Sequence, residues 1–234
     1  MANLTQLRML ENLNGYLLVD KPVGIAFTTV VKAVKRKFNL VKVGHGGSLD
    51  AMASGLLVLL INDANKFVGD VMGADREYEG TMRLGLKTNT HDVHGREVEK
   101  RNGQDARCPG AEEVAKGFRG DIFQTEPRFC SIRKEGSAEY EIADTGEHAQ
   151  FLAHVYRFQL GEEKDGVLPF SLLATKSVIV RTLVNDFGEA LGCGAALASL
   201  RRVRVGGFSV ADAVPFDKLL QTDMGDFAAF VKRS

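Results

Sequence analysis

The side chains best placed for chemistry sit in GHGGSLDAMASG, positions 44 to 55. Four glycines and several small residues surround a single carboxylate, Asp50, with His45 five residues before it. Such a stretch lets backbone approach a ligand closely, and a displayed carboxylate serves as a nucleophile or a general base. A carboxylate here also suits a closed turn or a helix cap, so spacing alone leaves both readings open. A second cluster, THDVHG at 90 to 95, gathers His91, Asp92 and His94. With His45 or Asp50 borrowed as a further ligand, it would hold a metal and support hydrolysis. The patterns GxxxxGK[ST], GxGxxG and HExxH are absent, which removes the usual supports for nucleotide and zinc-peptidase chemistry. Cys108, Cys130 and Cys193 are scattered without a CxxC pair and read as reduced, packing thiols.

The elements that must carry these residues follow from periodicity. GYLLVD (15–20) reads as a buried strand and KPVG as its punctuation. Thr28 or Thr29 is expected to cap a helix running to Phe38, with Val30, Val31, Val34 and Phe38 inward and Lys32, Lys35 and Arg36 outward. GLLVLLI is expected as a second buried strand, ANKFVGDVMGAD as a helix and EYEGTMRLG as a third strand, followed by a polar surface excursion over 95–110. Next come a helix AEEVAKGF, a strand RFCSIRK, a helix SAEYEIADTG (137–146) closed by glycine, and paired strands AQFLAHVYRFQL and VLPFSLLAT about the turn GEEKDG. A helix over 180–191, a strand ASLRRVRVGGF and two short helical stretches complete the chain. Hairpin neighbours dominate, so the expected class is α+β, with a mixed, mostly antiparallel central sheet flanked by helices.

The 234 residues, 44% of them hydrophobic, suffice for the core of one elaborate domain. The longest apolar run, LLVLLI, is too short to cross a bilayer, and MANLTQLRML lacks the pattern of a signal peptide. A cytoplasmic location is the default. Zero net charge argues against a nucleic-acid partner, but the distribution argues for one. Lys21, Lys32, Lys35, Arg36, Lys37 and Lys42 lie between Asp20 and Asp50 with no acid among them, and Arg201, Arg202 and Arg204 share another acid-free stretch. Two locally basic surfaces are expected, the plain alternative being a solvated helix face and an arginine-protected edge strand.

Five words occur in order along residues 15 to 214: LLVDKPVG, GHGGSLDAMASGLL, REYEGTMRLGLKTNTHDVHG, QTEPRFCSIRKEGSAEYEIADTG and TKSVIVRTLVNDFGEALGCGAALASLRRVRVGGF. This succession resembles the TruB family of tRNA pseudouridine synthases. The resemblance implies the pseudouridine synthase fold and the isomerisation of a T-loop uridine, position 55 by tRNA convention, with neither cofactor nor metal. Asp50 matches the family's nucleophile, acting at the ribose or at the base. Arg181 matches the arginine that ion-pairs with it and Tyr78 the tyrosine that stacks on the target base and moves the C5 proton. His45 matches the residue that fills the space vacated when the uridine is flipped out. Lys21 beside Pro22, Leu200 and Lys176 match residues near the substrate. The implied partner is the T stem-loop of tRNA, and a monomer is the default. An RNA-binding or RNA-folding protein with little catalytic power is the alternative.

The chain departs from the family's words in several places. Gly46, Ser48, Ala51 and Ser54 stand for Thr, Thr, Pro and Thr, and Ala51 is expected to leave the loop less rigid. Ser177 and Ile179 replace a glycine and a supporting tyrosine, Glu126 replaces a proline, Cys130, Ser131 and Arg133 also differ from the family's word, and Asp144 stands where a basic residue is common. The expected organisation is a catalytic domain over 1–214 and a short tail over 215–234, without the separate RNA-binding domain that family members commonly carry.

Overall fold

The stretch Ser54–Ile61 offers no polar side chain beyond its first residue, so a strand built from it must be covered on both faces. In the computed structural model, which describes residues 13–100, 110–133 and 140–233, that is what happens. In chain order the elements are β1 (Gly15–Lys21), α1 (Phe27–Lys37), β2 (Val43–His45), β3 (Ser54–Ile61), a 3-10 turn (Asn62–Phe67), α2 (Val68–Gly73), β4 (Arg76–Leu84), β5 (Leu86–Thr88) and β6 (Glu97–Lys100). They continue with α3 (Ala111–Gly117), β7 (Gly120–Gln124), β8 (Phe129–Arg133), β9 (Tyr140–Asp144), β10 (Phe151–Leu160), β11 (Val167–Ala174), α4 (Val180–Leu191) and β12 (Ala195–Val205). After β13 (Phe208–Ser209), β14 (Val214–Pro215) and α5 (Phe216–Gln221), a 3-10 turn (Phe227–Phe230) leads into β15 (Val231–Lys232). The chain divides into two compact units: one holds the residues up to Ala74 and those from Arg202 on, the other Asp75–Arg201.

In the first unit β1 runs antiparallel to β3 along its whole length, from Gly15↔Ile61 to Lys21↔Gly55. β14 joins β1 in parallel and β15 joins it antiparallel, so the sheet is mixed; β2 pairs with β3. Leu17, Val19, Leu57, Leu59 and Ile61 face α1 through Val30, Val34 and Phe38, and meet Leu219, Phe227 and Val231 from the end of the chain. The opposite face, Leu18, Leu56, Val58 and Leu60, is covered by Ala64 and Val71. Phe38 and Phe227 stack with ring centroids 3.8 Å apart. Helix α1 begins at Phe27 with Ala26 as its cap and no side-chain capping bond, so Thr28 and Thr29 are exposed first-turn residues and not the expected caps. Lys35, Arg36 and Lys37 fill its last turn, where cations suit the carbonyl end of the helix.

The second unit contains an antiparallel succession β4, β11, β10, β7, with Tyr78 opposite Leu172 and Leu152 opposite Phe123. Phe158 is enclosed and meets Phe170 and Phe187 edge-on at 5.8 and 5.6 Å, which docks α4 on this sheet. The α+β class and the dominance of antiparallel pairing are as expected.

Two further expectations need correcting. Within SAEYEIADTG, Tyr140–Asp144 is a strand paired with β8, Phe129↔Asp144 to Arg133↔Tyr140, and 137–139 lie outside the described residues. Asp144, in place of a base, takes a two-pronged pairing from Arg128, with Nε and Nη2 at 3.1 and 2.9 Å from Oδ2. In the polar excursion, Glu97–Lys100 forms a strand on β5, while 101–109, including Cys108, lie outside the described residues. Phe227→Ala should lower the unfolding free energy by about 3–5 kcal/mol in urea titrations, because a fully buried ring leaves a cavity. Val41→Ala, at an exposed site, should change it by less than about 0.5 kcal/mol.

Candidate functional site

In the first unit the chain leaves β2 at His45 and enters β3 at Ser54, and the loop between them displays Asp50 to solvent. Gly46 N donates to Val58 O at 2.8 Å and Ala53 N to Asp50 O at 3.1 Å, which closes the turn. Two buried cations grip the same loop. Lys21, with no exposed surface, donates from Nζ to Pro22 O and Ile25 O, each at 2.8 Å, and reaches Ala51 O at 3.4 Å. Arg202, 1% exposed, donates from Nε to Leu56 O and from Nη1 to Ser48 O, each at 2.8 Å, and from Nη2 to Gly47 O at 3.3 Å. The carbonyls on either side of Asp50 are therefore held by fixed charges.

This geometry revises two expectations. Arg202 does not belong to a basic surface: it is core, and of its two neighbouring arginines Arg204 is exposed and Arg201 half-buried. Ala51 is buried, and its carbonyl accepts from Gly24 N at 2.7 Å as well as from Lys21, so contacts along the main chain constrain the loop where the family has a proline ring. Two glycines are required by contact. A Cβ on Gly46 would stand 2.2 Å from Val71 Cγ1, and one on Gly55, at φ +101°, 2.3 Å from Arg202 O.

Burial lowers the Lys21 pKa to about 8; the Asp50 charge opposes that shift and Arg202 reinforces it. His45 is half-buried, edge-on to Phe27 with centroids 4.9 Å apart, and its Nδ1 accepts from Gly47 N at 3.3 Å. Burial first, then the charge of Arg202, push its pKa below the ordinary value, so the ring is neutral at pH 7.

In the second unit Tyr78 and Leu200 are buried side chains of β4 and β12, and Lys176 is exposed in the turn ahead of α4. Arg181 occupies the first turn of α4 with its side chain only 10% exposed, and its Nη2 lies 3.4 Å from Glu126 Oε1. The buried Gln124 amide donates to Ile179 O at 3.2 Å and accepts from Ile179 N at 3.0 Å, anchoring the residue that caps this helix. His91 adopts φ +64°; burial, then the charges of Arg181 and Lys87, lower its pKa to about 4.

The neighbouring Asp92 is taken up structurally. Its Oδ1 accepts from Thr90 Oγ1 at 3.1 Å, His94 N at 2.9 Å and Ser131 Oγ at 2.9 Å, while the His94 ring stacks on Tyr140 at 3.9 Å. Among the described residues no group of three or more His, Cys, Asp or Glu side chains is placed to hold a metal ion, so THDVHG braces a turn. Lys21, His45 and Asp50 thus gather about one loop in the first unit, and Arg181 with His91 and Glu126 in the second. Arg202, Gln124 and Glu126 were missed as residues that shape the site, and His91 was read only as a possible metal ligand. For Arg202 the signal was present, since period-2 alternation sets it in phase with the buried Leu200.

Residues 35–172 match the TruB family pseudouridylate synthase N-terminal domain, and 181–226 the tRNA pseudouridylate synthase B C-terminal domain. The chain belongs to the TruB family. Named relatives include a tRNA pseudouridine synthase B from Burkholderia pseudomallei, 39% identical over 88% of this chain and 69% of that one, and another from Pseudomonas putida, 36% identical over 92% and 71%. Among solved structures, a Cbf5-Nop10-Gar1 complex matches with a TM-score of 0.70 at 24% identity, over 97% of this chain and 62% of the other. An archaeal box H/ACA sRNP Nop10-Cbf5 complex matches with a TM-score of 0.64 at 27% identity, over 95% and 56%. The chain thus spans less than two thirds of each of these two solved chains. Among the described residues no helix is long and apolar enough to cross a membrane.

In this TruB-family chain the loop around Asp50 depends on the two buried cations, which supports two expectations. Arg202→Met leaves three carbonyls without their buried donor and should cost about 3 kcal/mol of unfolding free energy in urea titrations. Lys21 has a folded pKa of about 8 against an ordinary 10.5, so between those values the unfolded chain binds more protons. The stability due to Lys21 should accordingly rise from pH 8 to pH 10.5 and be lost as pH falls through 8. Unfolding free energies of the parent and Lys21→Met, compared at pH 7.5 and pH 10, should diverge in the parent's favour at the higher pH.

Proposed function

We propose that this chain converts the T-loop uridine of tRNA, position 55, to pseudouridine, with Asp50 as the nucleophile. The observation that carries this reading is a solvent-facing carboxylate on a loop whose flanking carbonyls are pinned by Lys21 and Arg202. A nucleophile held in this way loses little freedom when it meets its substrate, which lowers the entropic part of the barrier. The target base is extruded from the folded loop, with the neutral His45 ring filling the vacated stacking space.

Asp50 then attacks the ribose or the base. The bond from C1′ to N1 breaks, the uracil turns, and a bond from C1′ to C5 forms. Tyr78, stacked on the base, moves the proton from C5, and N1 regains one, so the reaction is an isomerisation with nothing added. In the role carried over from the family, Arg181 is the partner that orients the Asp50 carboxylate. Lys21, Leu200 and Lys176 complete the substrate's surroundings. The exposed Lys32, Lys35 and Arg36 of α1 provide a local cationic face for phosphates on a chain of zero net charge. On this reading the protein acts as a monomer in the cytoplasm, without metal or cofactor.

The test is an unmodified tRNA transcript incubated with parent and Asp50→Ala, followed by mapping of pseudouridine in the T loop. Product at position 55 from the parent and none from the variant is expected. Tight tRNA binding by both proteins, with no product from either, would replace the enzyme by an RNA-binding protein of the same family.

A further inference from the structure

The arginine assigned to pair with Asp50 has a second carboxylate beside it. Glu126 lies in the linker between β7 and β8, and its Oε1 stands 3.4 Å from Arg181 Nη2. The guanidinium is nine-tenths covered, and a charge so enclosed must be met by oriented polar partners to stay in place. The linker is well placed to provide one. Gln124 already holds both main-chain groups of Ile179, and two residues further along each segment Glu126 meets Arg181, so the 124–126 segment grips 179–181 in step. Glu126 is itself confined: Pro127 restricts its backbone, and its other oxygen, Oε2, lies 3.8 Å from His148 Nδ1. His148 is tied through Nε2 to Thr145 Oγ1 at 3.1 Å.

Glu126, and Ile179 two residues before Arg181, are both places where the chain departs from the TruB pattern. Position 179 holds isoleucine where a supporting tyrosine is usual, and an isoleucine side chain gives no hydrogen bond. Position 126 holds a carboxylate where a proline is usual. We propose that Glu126 is a positioning residue for Arg181, supplying from the β7–β8 linker the polar support that residue 179 lacks. The inference rests on the functional reading above.

The test measures pseudouridine formation under multiple-turnover conditions for parent, Glu126→Gln, Ile179→Tyr and the double variant, with unfolding midpoints recorded for each. Glu126→Gln should lower kcat about fivefold, with KM and the unfolding midpoint close to those of the parent. With Ile179→Tyr in place, the same change should cost less than about twofold, because the tyrosine then carries the support. A structural defect would lower the midpoint and penalise both backgrounds alike, and that pattern overturns the proposal. So does a Glu126→Gln rate within twofold of the parent's or above it. An active parent with an unchanged Glu126→Gln variant removes this inference alone, whereas a parent that makes no pseudouridine removes the functional reading and the inference with it.

Discussion

A lysine and an arginine buried beneath one loop must exchange hydration for some other set of oriented dipoles, and here the protein's own carbonyls provide it. Lys21 and Arg202 reach Ala51, Ser48, Gly47 and Leu56, and through them fix the path of the chain to either side of Asp50. A carbonyl so engaged cannot turn away without stranding a buried charge, a penalty far larger than thermal energy. The contact works in both directions, because a displaced loop would leave the cations unsolvated. Restraint of this kind tolerates Ala51 in place of a ring.

The rest of the first unit supplies the cations with their burial. Lys21 is the last residue of β1, placed by the full-length pairing with β3, and β3 itself is covered on one face by α1 and the chain's final segment and on the other by Ala64 and Val71. Apolar packing therefore sets the low local polarity that makes the carbonyl contacts strong. The same burial draws the Lys21 pKa down towards neutrality and keeps His45 uncharged beside Arg202. Position, protonation and loop shape are consequences of one core.

The second unit handles its own enclosed cation differently. Arg181 sits in the first turn of a helix, where a positive charge gains nothing from the helix dipole, so its support has to be side-chain and local. Gln124 secures the residue ahead of the helix and Glu126 meets the guanidinium. Nearby, Asp92 accepts from Thr90 within its own turn and from Ser131 of β8, and the main chain of the turn bonds to Leu197 of β12, which is why a motif rich in ligand-type residues is architecture.

Much of this was legible in the sequence where a local rule decides the outcome. The unbroken apolar run of β3, the helical spacing of Val30, Val34 and Phe38, and the paired strands about GEEKDG follow from periodicity, and the family from the order of its motifs. SAEYEIADTG was misread because alanine and glutamate favour a helix, while pairing with β8 and the grip of Arg128 on Asp144 favour a strand. Arg202 was misread because a charged residue is usually outside, and the carbonyls that hold it inside come from residues 47, 48 and 56, far away in the chain. Glu126 was visible only as a departure from a pattern until Arg181 stood next to it. The sequence by itself determined the strands, the apolar faces and the motif residues, since these depend on neighbours a few positions apart. Only the tertiary structure decided which charges are buried and which carbonyls receive them, since those partners are chosen by packing between distant segments.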